Sequence, residues 1–278
     1  MQSWFPWIFR AIKGALIGVG AILPGISGGV LCVILGIYRP MMEFLANPIK
    51  QLKKQFTFFL PVLIGFGIGV VGLSRVVDWL FRTSQAPAVW LFIGLISGTI
   101  PSLYREAGQQ GRNKSAWVSF VAGFVFMLTI LLILRFSGKS QVTPSLLWWI
   151  ICGILWGIGL VVPGMSPSSL FIFLGLYQPM SAGIAALNMS IIIPMGIGLA
   201  LTVATLAKGM QKLLTSSYAI TMHAVLGITI ASTLMIIPLD ASYSLRDIIT
   251  YAICFVLGLI IAVLMSNASE HIDEQKSE

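Results

Sequence analysis

The sequence predicts an all-α polytopic membrane protein made of two inverted repeats, each a re-entrant helical hairpin plus three transmembrane helices. Three observations predict it. Hydrophobic residues make up 57% of the 278, mean hydropathy is +0.95 and only 9% are charged, whereas a soluble domain carries about a quarter charged residues. Six apolar stretches, near residues 56–80, 89–103, 117–135, 189–207, 219–237 and 248–265, suit bilayer crossing, which takes about 20 residues of helix. A glycine-rich, proline-broken segment also occurs twice: of the 35 positions from 12 to 46, fifteen are identical 139 residues later, where chance pairing in so apolar a chain gives roughly three. The first repeat is assigned to 1–139, with its hairpin at 10–38. The second is assigned to 140–267, with its hairpin at 148–177, and 268–278 form a polar cytoplasmic tail, expected to be mobile.

The first hairpin has arms at 10–23 and 27–38, each roughly 20 Å long as helix and short of a hydrocarbon core of about 30 Å. Between them Pro24 removes a backbone donor, Gly25 admits a turn and Ser27 can cap the next helix. Its copy reads 148–162, a turn at 163–166, and 167–177. Arg10 and Lys13 before an apolar run imitate a secretory signal, but the copy is internal, so the N-terminal one is read as structural and retained. Three spans follow each hairpin. With a shorter linker the offset becomes 133 and aligns Pro61 with Pro194, Gly65 with Gly198 and Gly94 with Gly227. A hairpin plus three spans makes an odd number of crossings, so the second half must lie upside down. The conclusion survives if each arm spans fully, because five is also odd.

Charge sets the orientation. Twelve Lys and Arg residues fall on the N-terminal side of this topology and five on the other, namely Arg75, Arg82, Arg135, Lys139 and Arg246. The positive-inside rule then places both termini in the cytoplasm. The net charge of +8 suits contact with anionic membrane lipids. Basic residues confined to short loops between spans give no support to nucleic-acid binding. Cys32, Cys152 and Cys254 sit in apolar runs without metal or disulfide spacing and read as small hydrophobes.

The turns are the candidate substrate site. Irregular backbone at membrane depth is tolerated where it is buried in protein or lines a cavity, and a helix beginning there turns free amides and a positive dipole end inward. Pro24, Gly25, Ser27, Gly28 and Gly29 form one such turn; Pro163, Gly164, Ser166, Ser168 and Ser169 form the other. Hydroxyls and bare amides suit a phosphate or carboxylate group. Gly14, Gly18, Gly153 and Gly157 form small-xxx-small faces for close helix packing. Tyr38 and Tyr177 are expected as aromatic anchors at the interface. Arg75 and Asp78, three apart, make either a snorkelling pair at the outer interface or a relay; Glu43 is a further possible relay carboxylate. Arg105 and Glu106 read as loop residues at a cytoplasmic span end, and His223 as a satisfied or interfacial histidine. Neither an ATP-binding motif, a metal-spaced cluster nor a catalytic set is visible, so the chain reads as a transporter without cofactor, driven by a proton or sodium gradient or by the substrate's own.

At the same residues the chain resembles the PopT family of undecaprenyl-phosphate translocases. Ile22-Leu23-Pro24-Gly25-Ile26-Ser27-Gly28-Gly29 with Leu35-Gly36-Ile37-Tyr38 is similar to the family's first signature. Gly94-Leu95-Ile96-Ser97-Gly98-Thr99-Ile100-Pro101 is similar to its middle block, and Val162-Pro163-Gly164-Met165-Ser166 with Leu174-Gly175-Leu176-Tyr177 to its second signature. The resemblance covers nearly the whole chain. It implies a multi-pass bacterial plasma-membrane protein that returns the polyprenyl carrier lipid undecaprenyl phosphate to the inner leaflet for reuse in cell-wall polymers such as peptidoglycan. One departure stands out: Pro167 occupies the place of Gly28 and removes an amide from the second turn. On this reading Arg10, Lys13 and Arg39 receive the headgroup at the cytoplasmic side. The alternative is an ion-coupled transporter of a small soluble anion using the same turns; a third is a membrane scaffold. A lipid route calls for a lateral opening and a soluble substrate for an enclosed vestibule. The sequence assigns no oligomeric state.

Overall fold

The computed structural model describes residues 5–24, 31–32, 35–37, 48–137, 141–161, 167–241 and 243–277, and among them every regular element is a helix. In chain order these are α1 (Phe5–Ile22), α2 (Pro48–Thr83), α3 (Gln85–Ala107), α4 (Lys114–Phe136), α5 (Leu146–Val161), α6 (Ser168–Phe173), α7 (Tyr177–Ala185), α8 (Met189–Ser216), α9 (Tyr218–Met235) and α10 (Leu245–Ser277). Six are long and apolar enough to cross a membrane: α2, α3, α4, α8, α9 and α10. They are the six read from the sequence.

Local chemistry explains the boundaries. Pro48 opens α2, where a missing amide costs nothing. Asn113 caps α4 by accepting from the Ala116 amide at 2.8 Å, and Asn188 caps α8 by accepting from the Ser190 amide at 3.0 Å. Ser244 and Asp247 exchange side-chain-to-backbone bonds at the start of α10, a capping box. Helix α10 runs on to Ser277, so the polar tail continues the helix of the last span; Ala-Ser-Glu-His and the Glu, Gln and Lys that follow offer no proline or glycine to stop it. Single residues join α2 to α3 and α8 to α9. These are Ser84 and Ser217, which are 133 apart.

Gly36 and Gly175 share a left-handed φ of +70° and close the same turn. The Ile37 amide donates to the Cys32 carbonyl, and the Leu176 amide to the Phe171 carbonyl, both at 2.8 Å. This is the six-to-one bond of a glycine-terminated helix, and it accounts for the repeated Leu-Gly-x-Tyr.

Glycine faces set how the helices pair. A Cβ on Gly14 would stand 2.0 Å from the Val62 carbonyl oxygen, and one on Gly65 1.8 Å from that of Ala11. The matching contacts in the second half are Gly153 with Met195 (2.0 Å) and Gly198 with Ile150 (2.1 Å). Each partner is displaced by 139 or 133 residues, the two offsets of the sequence repeat. Close backbone approach is thus the role of Gly14 and Gly153, as read from the sequence. Contacts advance together along both chains, so α1 runs parallel to α2, and α5 to α8. Helices α3 and α10 also run parallel, through Gly94 against Phe255 and Gly98 against Ala262. Helices α4 and α9 run parallel as well: Ser119 Oγ donates to the Ile220 carbonyl, and one turn on Gly123 packs against Ala224.

The main core lies where α2, α3, α6 and α7 meet, around Phe92, Phe171, Leu176, Tyr177 and Met180. Tyr177 corrects an expectation. It is 1% exposed, not an interfacial anchor. Its ring meets Phe92 edge-on at 5.4 Å, and its hydroxyl donates to the Ile22 carbonyl at 2.5 Å. Ile22 is the last residue of α1, where helix carbonyls lose their intrahelical partners, and a buried phenol from the other half donates to it. Tyr38 lies outside the described residues. His223 is also fully buried, with Nδ1 on the Ala219 carbonyl at 2.7 Å and no partner for Nε2 among the described residues; it is neither interfacial nor fully satisfied.

Candidate functional site: a cavity with two arginines

A cavity of about 720 Å³ opens where the C-terminal ends of α2, α4, α6 and α9 meet the N-terminal ends of α3 and α7. Phe81, Val89, Phe173, Tyr177 and Met235 give it an apolar wall. Arg82 and Arg135 bring guanidinium groups to it from the last turns of α2 and α4, Gln85, Gln141 and Gln178 bring amides, and Asp240 a single carboxylate. Cations in a last helical turn complement the helix dipole, which explains why each arginine is tolerated at the end of an apolar span. Their convergence is a tertiary matter.

The two arginines are held differently. Both Asp78 carboxylate oxygens lie 2.9 Å from Arg82 Nε. Gln178 Nε2 donates to Asp78 Oδ1 at 2.8 Å, tying α2 of the first half to α7 of the second. The Asp78 side chain is 18% exposed and that of Arg82 67%. The Arg135 side chain makes no hydrogen bond or ion pair with any described residue. Two fully buried hydroxyls, Ser74 on α2 and Ser181 on α7, also lack partners among the described residues. Helices α2 and α7 pack together, and this contact carries the polar residues Ser74, Asp78, Gln178 and Ser181. A phosphate entering the cavity would meet planar donor forks suited to bidentate contact, with apolar surface beside them.

The comparisons with known proteins agree with this chemistry. A family described as undecaprenyl phosphate translocase-like matches residues 17–248. The chain belongs to that family. It is 24% identical over 196 residues to a polyprenyl-phosphate transporter of Vibrio cholerae, which covers 66% of this chain and 62% of that protein, so the match spans less than two thirds of that relative. It is 22% identical over 274 residues to a polyprenyl-phosphate transporter of Staphylococcus aureus, covering 94% of this chain and 96% of the relative. No solved structure matches.

In this member of the translocase-like family the residues predicted from sequence are dispersed. Gly25, Ser27, Gly28, Gly29, Pro163, Gly164, Ser166, Arg39 and Glu43 lie outside the described residues. Pro24 is buried just beyond α1. Ser168 and Ser169 are buried at the start of α6, against α9, where Ser169 Oγ donates to Ser232 Oγ at 2.8 Å. Arg10 stacks over the Phe58 ring at 4.7 Å, and Lys13 Nζ donates to the Leu35 carbonyl at 2.7 Å. Lys13 therefore serves a helix end as well as a charged surface. Arg75 and Asp78 do not pair with each other: Asp78 takes Arg82 one turn on, while Arg75 Nε reaches the Ala185 carbonyl at 3.5 Å. Glu106 belongs to the last turn of α3, not a loop, and accepts from the Tyr218 hydroxyl at 3.4 Å.

Arg82, Arg135, Gln141 and Gln178 are the residues sequence reasoning missed. Two signals were available. Asp78 and Arg82 have the four-residue spacing of a helical ion pair, and Gln178 holds the position that Arg39 holds in the first copy. Nothing local linked Arg135 to them.

Proposed function

We propose that this chain moves polyprenyl phosphate across the membrane, returning the undecaprenyl phosphate carrier from the outer to the inner leaflet of the bacterial plasma membrane for reuse in cell-wall polymer synthesis. The observation that carries the reading is the cavity holding Arg82 and Arg135 beside an apolar wall, in a member of the undecaprenyl phosphate translocase-like family with six helices, among the described residues, long and apolar enough to span. Guanidinium groups suit the phosphate, and the apolar wall suits the first isoprene units.

The proposal includes inverted halves with both termini in the cytoplasm. Several observations support it. Helix α1 runs parallel to α2, an arrangement that a hairpin between them would satisfy. Helix α3 is parallel to α10, and α9 precedes α10 through a short connection. Helices α3 and α9, which hold equivalent places in the two repeats, then point in opposite directions. With the more basic side inward, the arginine cavity faces outward, where a spent carrier would enter. The two Pro-Gly-x-Ser turns, with Ser27, Gly28 and Gly29 in one and Ser166 in the other, are proposed as the midplane contacts on the strength of their sequence. Arg10 and Arg39 are proposed as contacts at the cytoplasmic exit, and a proton or sodium gradient as the drive.

The test is reconstitution in liposomes with fluorescent undecaprenyl phosphate, with and without each gradient. The chain should equilibrate the probe between leaflets, and the Arg82→Gln/Arg135→Gln variant should do so at least about tenfold more slowly, each charge-assisted bond at a partly exposed site being worth roughly 1.4 kcal/mol after screening. Probe movement no faster than in empty liposomes would refute the function, and uptake of free phosphate in its place would favour a soluble-anion transporter.

A further inference from the structure

We infer that Asp78 is a release residue: an internal stand-in for the substrate phosphate that shares Arg82 with it and keeps the cavity from holding its ligand too tightly. The inference rests on the reading of the cavity as a phosphate site.

A transporter site has to bind well enough to load and weakly enough to empty. Two free guanidinium groups around one phosphate would favour loading alone. Here they differ. Arg135 has no carboxylate partner among the described residues, whereas Arg82 rests with its Nε against both oxygens of Asp78 at 2.9 Å. A carboxylate and a phosphate oxygen accept from the same guanidinium donors, and a guanidinium fork fits either. Phosphate arriving on Arg135 can draw Arg82 from Asp78; when the phosphate moves on, Asp78 takes Arg82 back.

Three features suit such an exchange. The Arg82 side chain is 67% exposed, while that of Asp78 is 18% exposed. Gln178 Nε2 holds Asp78 Oδ1 at 2.8 Å, so the carboxylate keeps one donor when Arg82 leaves. Asp78 itself is not part of the cavity wall that Arg82 reaches; it stands one turn back along α2 and competes for the arginine without occupying the ligand's place. Since Gln178 belongs to the second half of the chain, the exchange also reports headgroup occupancy to the contact between α2 and α7.

The two arginines should therefore be unequal. Binding is measured on the purified full chain in nanodiscs with two probes in separate arms, farnesyl phosphate as the lipid form and inorganic phosphate as the soluble form. Arg135→Gln should raise the Kd about thirtyfold and Arg82→Gln only about threefold, because Arg82 is already paired with Asp78. Asp78→Asn should lower the Kd about tenfold and slow dissociation by a similar factor, so that affinity rises while transport turnover falls. A purely structural aspartate would lower both together. In the Arg82→Gln background Asp78→Asn should change nothing, since the competitor has lost what it competes for. Equal losses for the two arginines would overturn the inference, a result obtainable even if Asp78→Asn does not fold. Weaker binding by a folded Asp78→Asn would overturn it too. If the whole pattern appears with inorganic phosphate and farnesyl phosphate does not bind, the exchange stands and the lipid reading falls. If farnesyl phosphate binds and neither arginine matters, the lipid reading stands and the exchange falls.

Discussion

Changing Tyr177 to phenylalanine removes one oxygen atom from a buried contact between the two halves. The tyrosine is 1% exposed, and its hydroxyl donates at 2.5 Å to the carbonyl of Ile22, itself 1% exposed, at the end of α1. Phenylalanine keeps the ring contacts with Phe81 and Phe92 and takes away the side-chain donor that the carbonyl has among the described residues. A buried polar group stripped of its partner costs about 1–3 kcal/mol, more than the net worth of an ordinary hydrogen bond. Tyr177→Ala removes the ring as well and should cost about 3–5 kcal/mol. Thermal unfolding in detergent, followed by tryptophan fluorescence, should therefore rank wild type above Tyr177→Phe above Tyr177→Ala. At about 2–4 °C per kcal/mol for a chain somewhat smaller than this one, the first step is roughly 2–12 °C. Tyr177 also lines the cavity, so Tyr177→Phe should impair transport beyond its effect on stability. An unchanged midpoint for Tyr177→Phe would mean that another donor reaches Ile22, and the proposed link between α1 and α7 would have to be abandoned.

Other predictions address packing, topology and the turns. Gly65→Val should block assembly of α1 on α2, seen as loss of the monodisperse protein peak, because its first added carbon would lie 1.8 Å from a backbone oxygen. Gly67→Ala, with open space around the added carbon, should be neutral or stabilise by up to about 1 kcal/mol. Cysteines at Ser84 and Ser217, matched positions in the two halves, should react with a membrane-impermeant probe from outside and inside respectively; labelling from one side alone would sink the inverted topology. Gly28→Val should abolish transport with normal membrane insertion if the first turn binds the headgroup, and full activity would move the site to the arginine cavity alone.

The spans were legible because hydropathy is a property of a short window, and the same six stretches form the six long helices. The glycine faces were legible because close packing needs a small residue every fourth position, and the contacts of Gly14 and Gly65 recur at the sequence offsets in Gly153 and Gly198. Roles that depend on a partner were not legible. Tyr177 looked like an interfacial anchor because a tyrosine at the end of an apolar run usually finds water; here the carbonyl left over at Ile22, 155 residues away, is its partner. Asp78 looked like the mate of Arg75 because both lie on one helical face, yet Arg82 lies one turn further on that face and Gln178 comes to it from α7.

By itself, then, the sequence determined a helical membrane chain of two related halves, the apolar middle of each long helix, and the faces along which helices approach closely. All of these follow from composition and period, which act over a few neighbouring residues. Only the tertiary structure decided where charge is concentrated. Arg82 and Arg135 are 53 positions apart and each is an ordinary cation in a last helical turn. They line one cavity because the register of packed helices brings the ends of α2 and α4 together, and that register is set by the shapes of faces on different segments, which no local pattern contains.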